Sequence, residues 1–209
     1  AKVIEENGGW PFHLLTEDIQ FSVDCAIRGQ RIGYCDRAVI YDEQPTRFSQ
    51  SWTQRLRWSK GFYQVDAHYV FSLVRRCFAG RRRFSCYDML MTVAPGMLLT
   101  LAALLLNGIC AVSCLLLPPL QARQVLAVTV EFMANAVLSF YMGLFMYGVI
   151  TTITEWNKIY APTAKKLLYT ITFPLFMFTY VPIALSALVR RVEWKPIQHG
   201  CATALKELP

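Results

Sequence analysis

The sequence predicts a short α/β segment followed by an α-helical membrane region. Three observations carry that expectation. Long uncharged apolar runs occupy most of residues 89–189, basic side chains flank those runs, and the polar start combines a helical pattern with a strand-like one. Of the 209 residues 55% are hydrophobic and only 17% charged, against about 25% charged in an ordinary soluble domain. That composition excludes disorder and disfavours a plain soluble fold. Residues 1–60 hold eight basic and eight acidic side chains, so the whole excess of +7 lies downstream. Basic residues beside apolar runs serve membrane orientation, which sets this charge apart from a nucleic-acid footprint; no nucleic-acid partner is expected. The polar part is short for an independent enzyme domain and opens without Met, so the chain reads as the C-terminal piece of something larger.

The polar segment comes first. Gly8-Gly9-Trp10-Pro11 reads as a turn. Thr16-Glu17-Asp18 opens a helical pattern with Ile19, Val23, Ala26 and Ile27 on one side, closed by Gly29. Thr16 suits an N-cap, and acids in a first turn suit the helix dipole, which is a sufficient explanation of Glu17 and Asp18 when they are taken alone. Arg31–Asp42, with Ile32, Tyr34, Val39, Ile40 and Tyr41, suggests a bent strand. Thr46–Phe78 is helical in pattern with an interruption expected at Gly61. Its mixture of aromatic, aliphatic and basic residues predicts an amphipathic segment lying on a membrane surface and leading into Arg75, Arg76, Arg81, Arg82 and Arg83.

Three spans are expected beyond it, at about 92–117, 132–154 and 167–189. The first needs about 39 Å as a helix, more than a hydrocarbon core of about 30 Å. Pro118-Pro119 end it, and a 118–124 loop follows. The positive-inside rule puts the polar N-terminal part in the cytoplasm and that loop outside. The third run contains Pro174 and Pro182. A simple crossing there would carry Arg190, Arg191 and Lys195 outside against the rule, whereas a broken, re-entrant segment would keep both basic flanks cytoplasmic. Glu131 near the second run is either a polar wall element or an interfacial side chain. Cys25, Cys35, Cys77, Cys86, Cys110, Cys114 and Cys201 form no C-x-x-C pair and read as free thiols and apolar fillers; His13, His68 and His199 are too scattered for a metal site.

One spacing inside the amphipathic segment carries chemistry. In Gln54-Arg55-Leu56-Arg57-Trp58, residues 54, 57 and 58 stand at i, i+3 and i+4 and share a helix face. An indole can stack on a pyranose, and an amide and a guanidinium can hold phosphate oxygens. An interfacial helix with a Trp anchor and solvated Arg would use the same residues.

Leu15-Thr16-Glu17-Asp18, followed about 35 residues later by Gln54-Arg55-Leu56-Arg57-Trp58, resembles the processive family 2 glycosyltransferases, which include the cellulose, hyaluronan, chitin and poly-N-acetylglucosamine synthases. Their T-E-D motif, Q-x-x-R-W helix and membrane spans occur here in that order. The resemblance implies that residues 1–46 are the C-terminal part of a GT-A glycosyltransferase domain, 47–88 interfacial helices, 89–189 a transmembrane region and 190–209 a cytoplasmic tail. It implies an inverting transfer from a nucleotide-sugar, usually a UDP-sugar, to a glycan or lipid acceptor, extending a polysaccharide at the cell membrane with the catalytic part cytoplasmic. Asp18 would be the general base, with Thr16 and Glu17 beside it. Trp58 would be the acceptor platform, and Gln54, Arg55 and Arg57 would lie towards the substrate. The family also uses Mg²⁺ or Mn²⁺; its D-x-D ligands belong upstream of T-E-D, and Asp36 and Asp42 come in the wrong order to supply them. An accessory subunit fits the pattern. Glu193-Trp194-Lys195-Pro196-Ile197-Gln198-His199 resembles a W-x-x-T-R-like element, with Ile197 and His199 departing from it. Two other classes remain: a non-processive lipid glycosyltransferase, and a membrane scaffold whose basic clusters hold anionic lipid.

Overall fold

The computed structural model describes residues 2–35, 37, 38, 40, 42, 44–79 and 83–193. Its elements are α1 (Lys2–Glu6), α2 (Glu17–Arg28), α3 (Phe48–Ala79), α4 (Arg83–Val93), α5 (Pro95–Ser113), a 3-10 turn (Cys114–Leu116), α6 (Pro119–Thr154), α7 (Thr163–Phe178) and α8 (Tyr180–Val189). The described residues contain no strand, and this corrects the α/β expectation. The run from Arg31 to Asp42 is irregular at its described positions. A strand is held by a neighbour's backbone hydrogen bonds, and here the strand-like pattern has no second strand to pair with among the described residues.

The chain forms two compact units, one made of residues 1–98 with 183–209, the other of residues 99–182. In the first unit, α2 starts at the N-cap position Thr16 and stops at Gly29, whose φ of 75° is the left-handed conformation that ends helices. Its apolar side supplies Val23, Ile19 and Ile27 to a core completed by Val65 and Leu73 of α3 and Cys86 and Val93 of α4. α3 runs unbroken for 32 residues, so Gly61 does not interrupt it as expected. A second side of α3 presents Leu56, Trp52 and Tyr63 to Ile183, Ala187 and Val192. Lys60 Nζ donates to the carbonyls of Ala187 (2.9 Å) and Leu188 (3.4 Å). A cation on the final carbonyls of α8 offsets the negative end of its dipole.

In the second unit, α6 and α7 form an antiparallel pair joined by residues 155–162. Tyr141 Oη donates to the Ile171 carbonyl at 3.1 Å, the Thr152 and Thr170 hydroxyls are 2.7 Å apart, and the rings of Phe140 and Phe178 meet edge-on. Pro119 opens α6, a position where a missing N–H costs nothing. The expected 118–124 loop is therefore helix from Pro119 onward, and Glu131 lies exposed within α6. Pro174 is accommodated inside α7, whereas Pro182 removes the N–H that would bond the Phe178 carbonyl, and the helix breaks at Thr179. The segments Pro119–Thr154 and Thr163–Val189 are long and apolar enough to cross a membrane; Leu101–Leu116 is a shorter apolar helix. The Trp194–His199 element lies outside the described residues.

Candidate functional site

Thr16, Glu17 and Asp18 at the start of α2 meet Arg57, Trp58 and Phe62 of α3 around one cleft of about 240 Å³, with Leu15 completing the wall. The T-E-D triplet and the Arg-Trp end of the Q-x-x-R-W helix, well separated in sequence, thus share one cavity. Glu17 and Asp18 are exposed. Trp58 is 37% exposed and borders the cleft. Asp18 accepts from the Ile19 backbone N–H at 2.8 Å, and its own carbonyl accepts from Ser22 Oγ at 2.9 Å. The carboxylate therefore meets one unsatisfied donor of the first helical turn, and the same residue borders the cleft.

The segment before α2 is fastened on both flanks. Gln20 Oε1 accepts from the backbone N–H groups of His13 and Leu14, each at 3.1 Å, while Gln20 Nε2 donates to Tyr69 Oη at 3.1 Å. Gln64 Oε1 accepts from the Leu15 N–H at 3.2 Å. Trp10, Phe12 and Phe21 form a three-ring cluster with centroids 5.1 to 5.4 Å apart. Thr16 seats against Gly61: a Cβ built there would stand 2.6 Å from Thr16 Oγ1 and overlap its Cγ2. Arg57, Gly61 and Gln64 stand at i, i+4 and i+7, so one face of α3 carries the cleft wall, the seat and the clamp. That spacing is visible in the sequence, but nothing in it marks Gln20 and Gln64 as partners of loop N–H groups.

Gln54 is half-buried and stands outside the cleft wall. Arg55 also stands outside it. Only 2% exposed, Arg55 donates from Nε to the Ser51 carbonyl at 3.3 Å and places its guanidinium 5.7 Å from the Phe48 ring centre. Asp66, further along α3, belongs to no motif that sequence reasoning could single out. It is 9% exposed, neither carboxylate oxygen has a hydrogen-bond partner among the described residues, and desolvation raises its pKa from 3.8 to about 6. Among the described residues no group of three His, Cys, Asp or Glu side chains could hold a metal ion. A second cleft of about 250 Å³ lies between α6 and α7, walled by Tyr147, Thr152, Lys166, Tyr169 and Phe173 among others. It contains no carboxylate.

Residues 1–189 match the model of the family described as glycosyl transferase family group 2. Among known proteins, the chain is 24% identical to a probable glycosyltransferase, YdaM, of Bacillus subtilis over 160 residues, which is 75% of this chain and 35% of that one. It is 32% identical over 80 residues to the poly-beta-1,6-N-acetyl-D-glucosamine synthase of Staphylococcus aureus, 38% of this chain and 18% of the synthase. The chain thus spans about a third or less of the length of these relatives. No solved structure matches it significantly.

Proposed function

The chain belongs to glycosyl transferase family group 2, and from that premise we propose that it forms the acceptor side of a membrane-bound inverting glycosyltransferase. The observation that carries the reading is the shared cleft of Asp18 and Trp58. A proton-accepting carboxylate and a stacking surface are what an acceptor hydroxyl needs when it attacks an activated anomeric carbon. Trp58 holds the terminal sugar of the acceptor by its face. Asp18 takes the hydroxyl proton as the new C–O bond forms, a contribution of about 10²–10⁴-fold. Inversion follows from one in-line displacement, because no covalent sugar–protein intermediate intervenes. Glu17 borders Asp18 and shapes the approach, and Arg57 presents positive charge towards the diphosphate that leaves. Gln54 and Arg55, set away from the cleft, act on the packing of α3 in this reading.

The donor is a nucleotide-sugar, most simply a UDP-sugar, and the acceptor a glycan end, so the reaction extends a polysaccharide. A divalent cation would neutralise the diphosphate, but the described residues do not compose a ligand set for one. Its ligands, with the nucleotide site, are expected upstream of Thr16. The cleft opens on the cytoplasmic side of the membrane in this reading, with the apolar helices spanning or entering the bilayer. The packing of Ile183 and Ala187 on Leu56, with Lys60 on the end of α8, supports the re-entrant form of the last segment. It keeps Arg190 and Arg191 on the same side as α3, as the positive-inside rule asks.

The test uses membranes carrying the full-length protein, incubated with a panel of labelled nucleotide-sugars. Label should enter a product with one of them, and Trp58→Ala should lower transfer at limiting acceptor by at least about 10-fold. A long polymer supports the processive reading; a glycolipid of fixed size replaces it with the non-processive one. Absence of incorporation from every donor, in membranes where the protein is inserted and folded, overturns the proposal.

A further inference from the structure

Resting on the reading of Asp18 as the base, we propose that Thr16 and Gly61 are positioning residues: Thr16 serves as a steric key seated on Gly61, through its shape and not its hydroxyl, and this seat sets the place of Asp18 in the cleft it shares with Trp58. Three observations converge on it. Thr16 is 5% exposed, and its Oγ1 is buried without a hydrogen-bond partner among the described residues. A hydroxyl so placed reaches neither substrate nor the first-turn N–H groups it would cap; the Thr16 backbone carbonyl, by contrast, accepts from the Gln20 N–H at 3.0 Å.

Gly61 lies mid-helix, where glycine weakens a helix relative to alanine. Any Cβ there would stand 2.6 Å from Thr16 Oγ1 and 2.9 Å from Thr16 Cβ, well inside van der Waals contact. The two elements are as close as a threonine and a bare helix backbone allow.

The third observation is that the loop cannot simply retreat. Gln64 holds the Leu15 N–H and Gln20 holds those of His13 and Leu14. Thr16 is followed directly by Glu17 and Asp18, so displacement at the seat passes into the first turn of α2. Relieving an added Cβ requires a shift of about 1 Å, and a misplacement of that size in a reacting constellation costs about 10²-fold in rate.

The experiment measures sugar-transfer kinetics of the full-length protein in membranes, with four variants beside Asp18→Asn. Thr16→Val keeps the branched shape and removes the hydroxyl; Thr16→Ser keeps the hydroxyl and removes the branch. The key predicts that the valine variant transfers faster than the serine variant, and the reverse order overturns it by giving the hydroxyl the part. Gly61→Ala should lower kcat by about 10²-fold with the donor KM unchanged, since the donor is held elsewhere. Combining Gly61→Ala with Thr16→Gly, which empties the seat, should recover at least about 10-fold over Gly61→Ala alone. Wild-type kcat in Gly61→Ala, or no recovery in the pair, overturns the proposal. If Gly61→Ala alone does not accumulate, the valine-to-serine order and the activity of the pair decide. Asp18→Asn separates the two levels: full transfer by it removes the base itself, whereas loss by Asp18→Asn together with a serine-over-valine order removes only the key.

Discussion

Replacing Asp66 by asparagine should stabilise the folded chain at neutral pH. Asp66 is buried in α3, both of its carboxylate oxygens lack partners among the described residues, and its pKa rises from 3.8 to about 6 through desolvation. A carboxyl whose folded pKa exceeds its unfolded value binds more protons when folded, so its stabilising contribution is complete below about pH 4 and is lost as pH climbs through about 6. Two pKa units correspond to about 3 kcal/mol. An amide cannot ionise, so Asp66→Asn should keep what the wild type loses, less about 1 kcal/mol or more for a group that is itself poorly satisfied. The assay is thermal or chemical unfolding of the detergent-solubilised full-length protein at about pH 4.5 and 7.5, on either side of the folded pKa. The variant should unfold at least about 2 °C higher at the upper pH and show a smaller change between the two. An equal pH dependence in both proteins, or a less stable variant at the upper pH, would refute the burial argument.

Three further outcomes are expected. Gln20→Ala strips the partners of two loop N–H groups and of Tyr69, so stability should fall by about 1–3 kcal/mol and protease should cut near His13 sooner. Trp58→Phe should retain more transfer than Trp58→Ala, because an aromatic face survives; equal loss would tie Trp58 to an N–H contact instead. With the other six cysteines replaced, Cys201 should resist an impermeant thiol reagent in intact cells, and labelling from outside would contradict the re-entrant last segment.

Local signals wrote the helices plainly. The acids after Thr16 and the glycine at position 29 bound α2 because both ends obey rules confined to a few residues. The i, i+3, i+4 spacing put Gln54, Arg57 and Trp58 on one side of α3, yet of these only Arg57 and Trp58 border the cleft that the T-E-D triplet also lines, while Gln54 stands half-buried outside it. Other features depended on distant partners. Arg31–Asp42 has the β-branched and aromatic residues of a strand, but a strand is a property of a pair. Gly61 reads as a helix breaker, although its missing side chain is what lets Thr16 approach an unbroken α3. Pro119 looked like part of a stop, yet proline equally opens a helix, and α6 begins there. The clamps by Gln20 and Gln64 leave no periodic trace, since each joins a side chain to a backbone N–H outside its own helix.

The most direct measurement compares Asp18→Asn with wild type in the full-length protein, scoring sugar transfer and donor binding in the same membranes. Transfer should drop by about 10²–10⁴-fold while donor affinity stays within about twofold, because the amide preserves shape and the donor lies elsewhere. Undiminished transfer by the asparagine variant would contradict the account of this cleft.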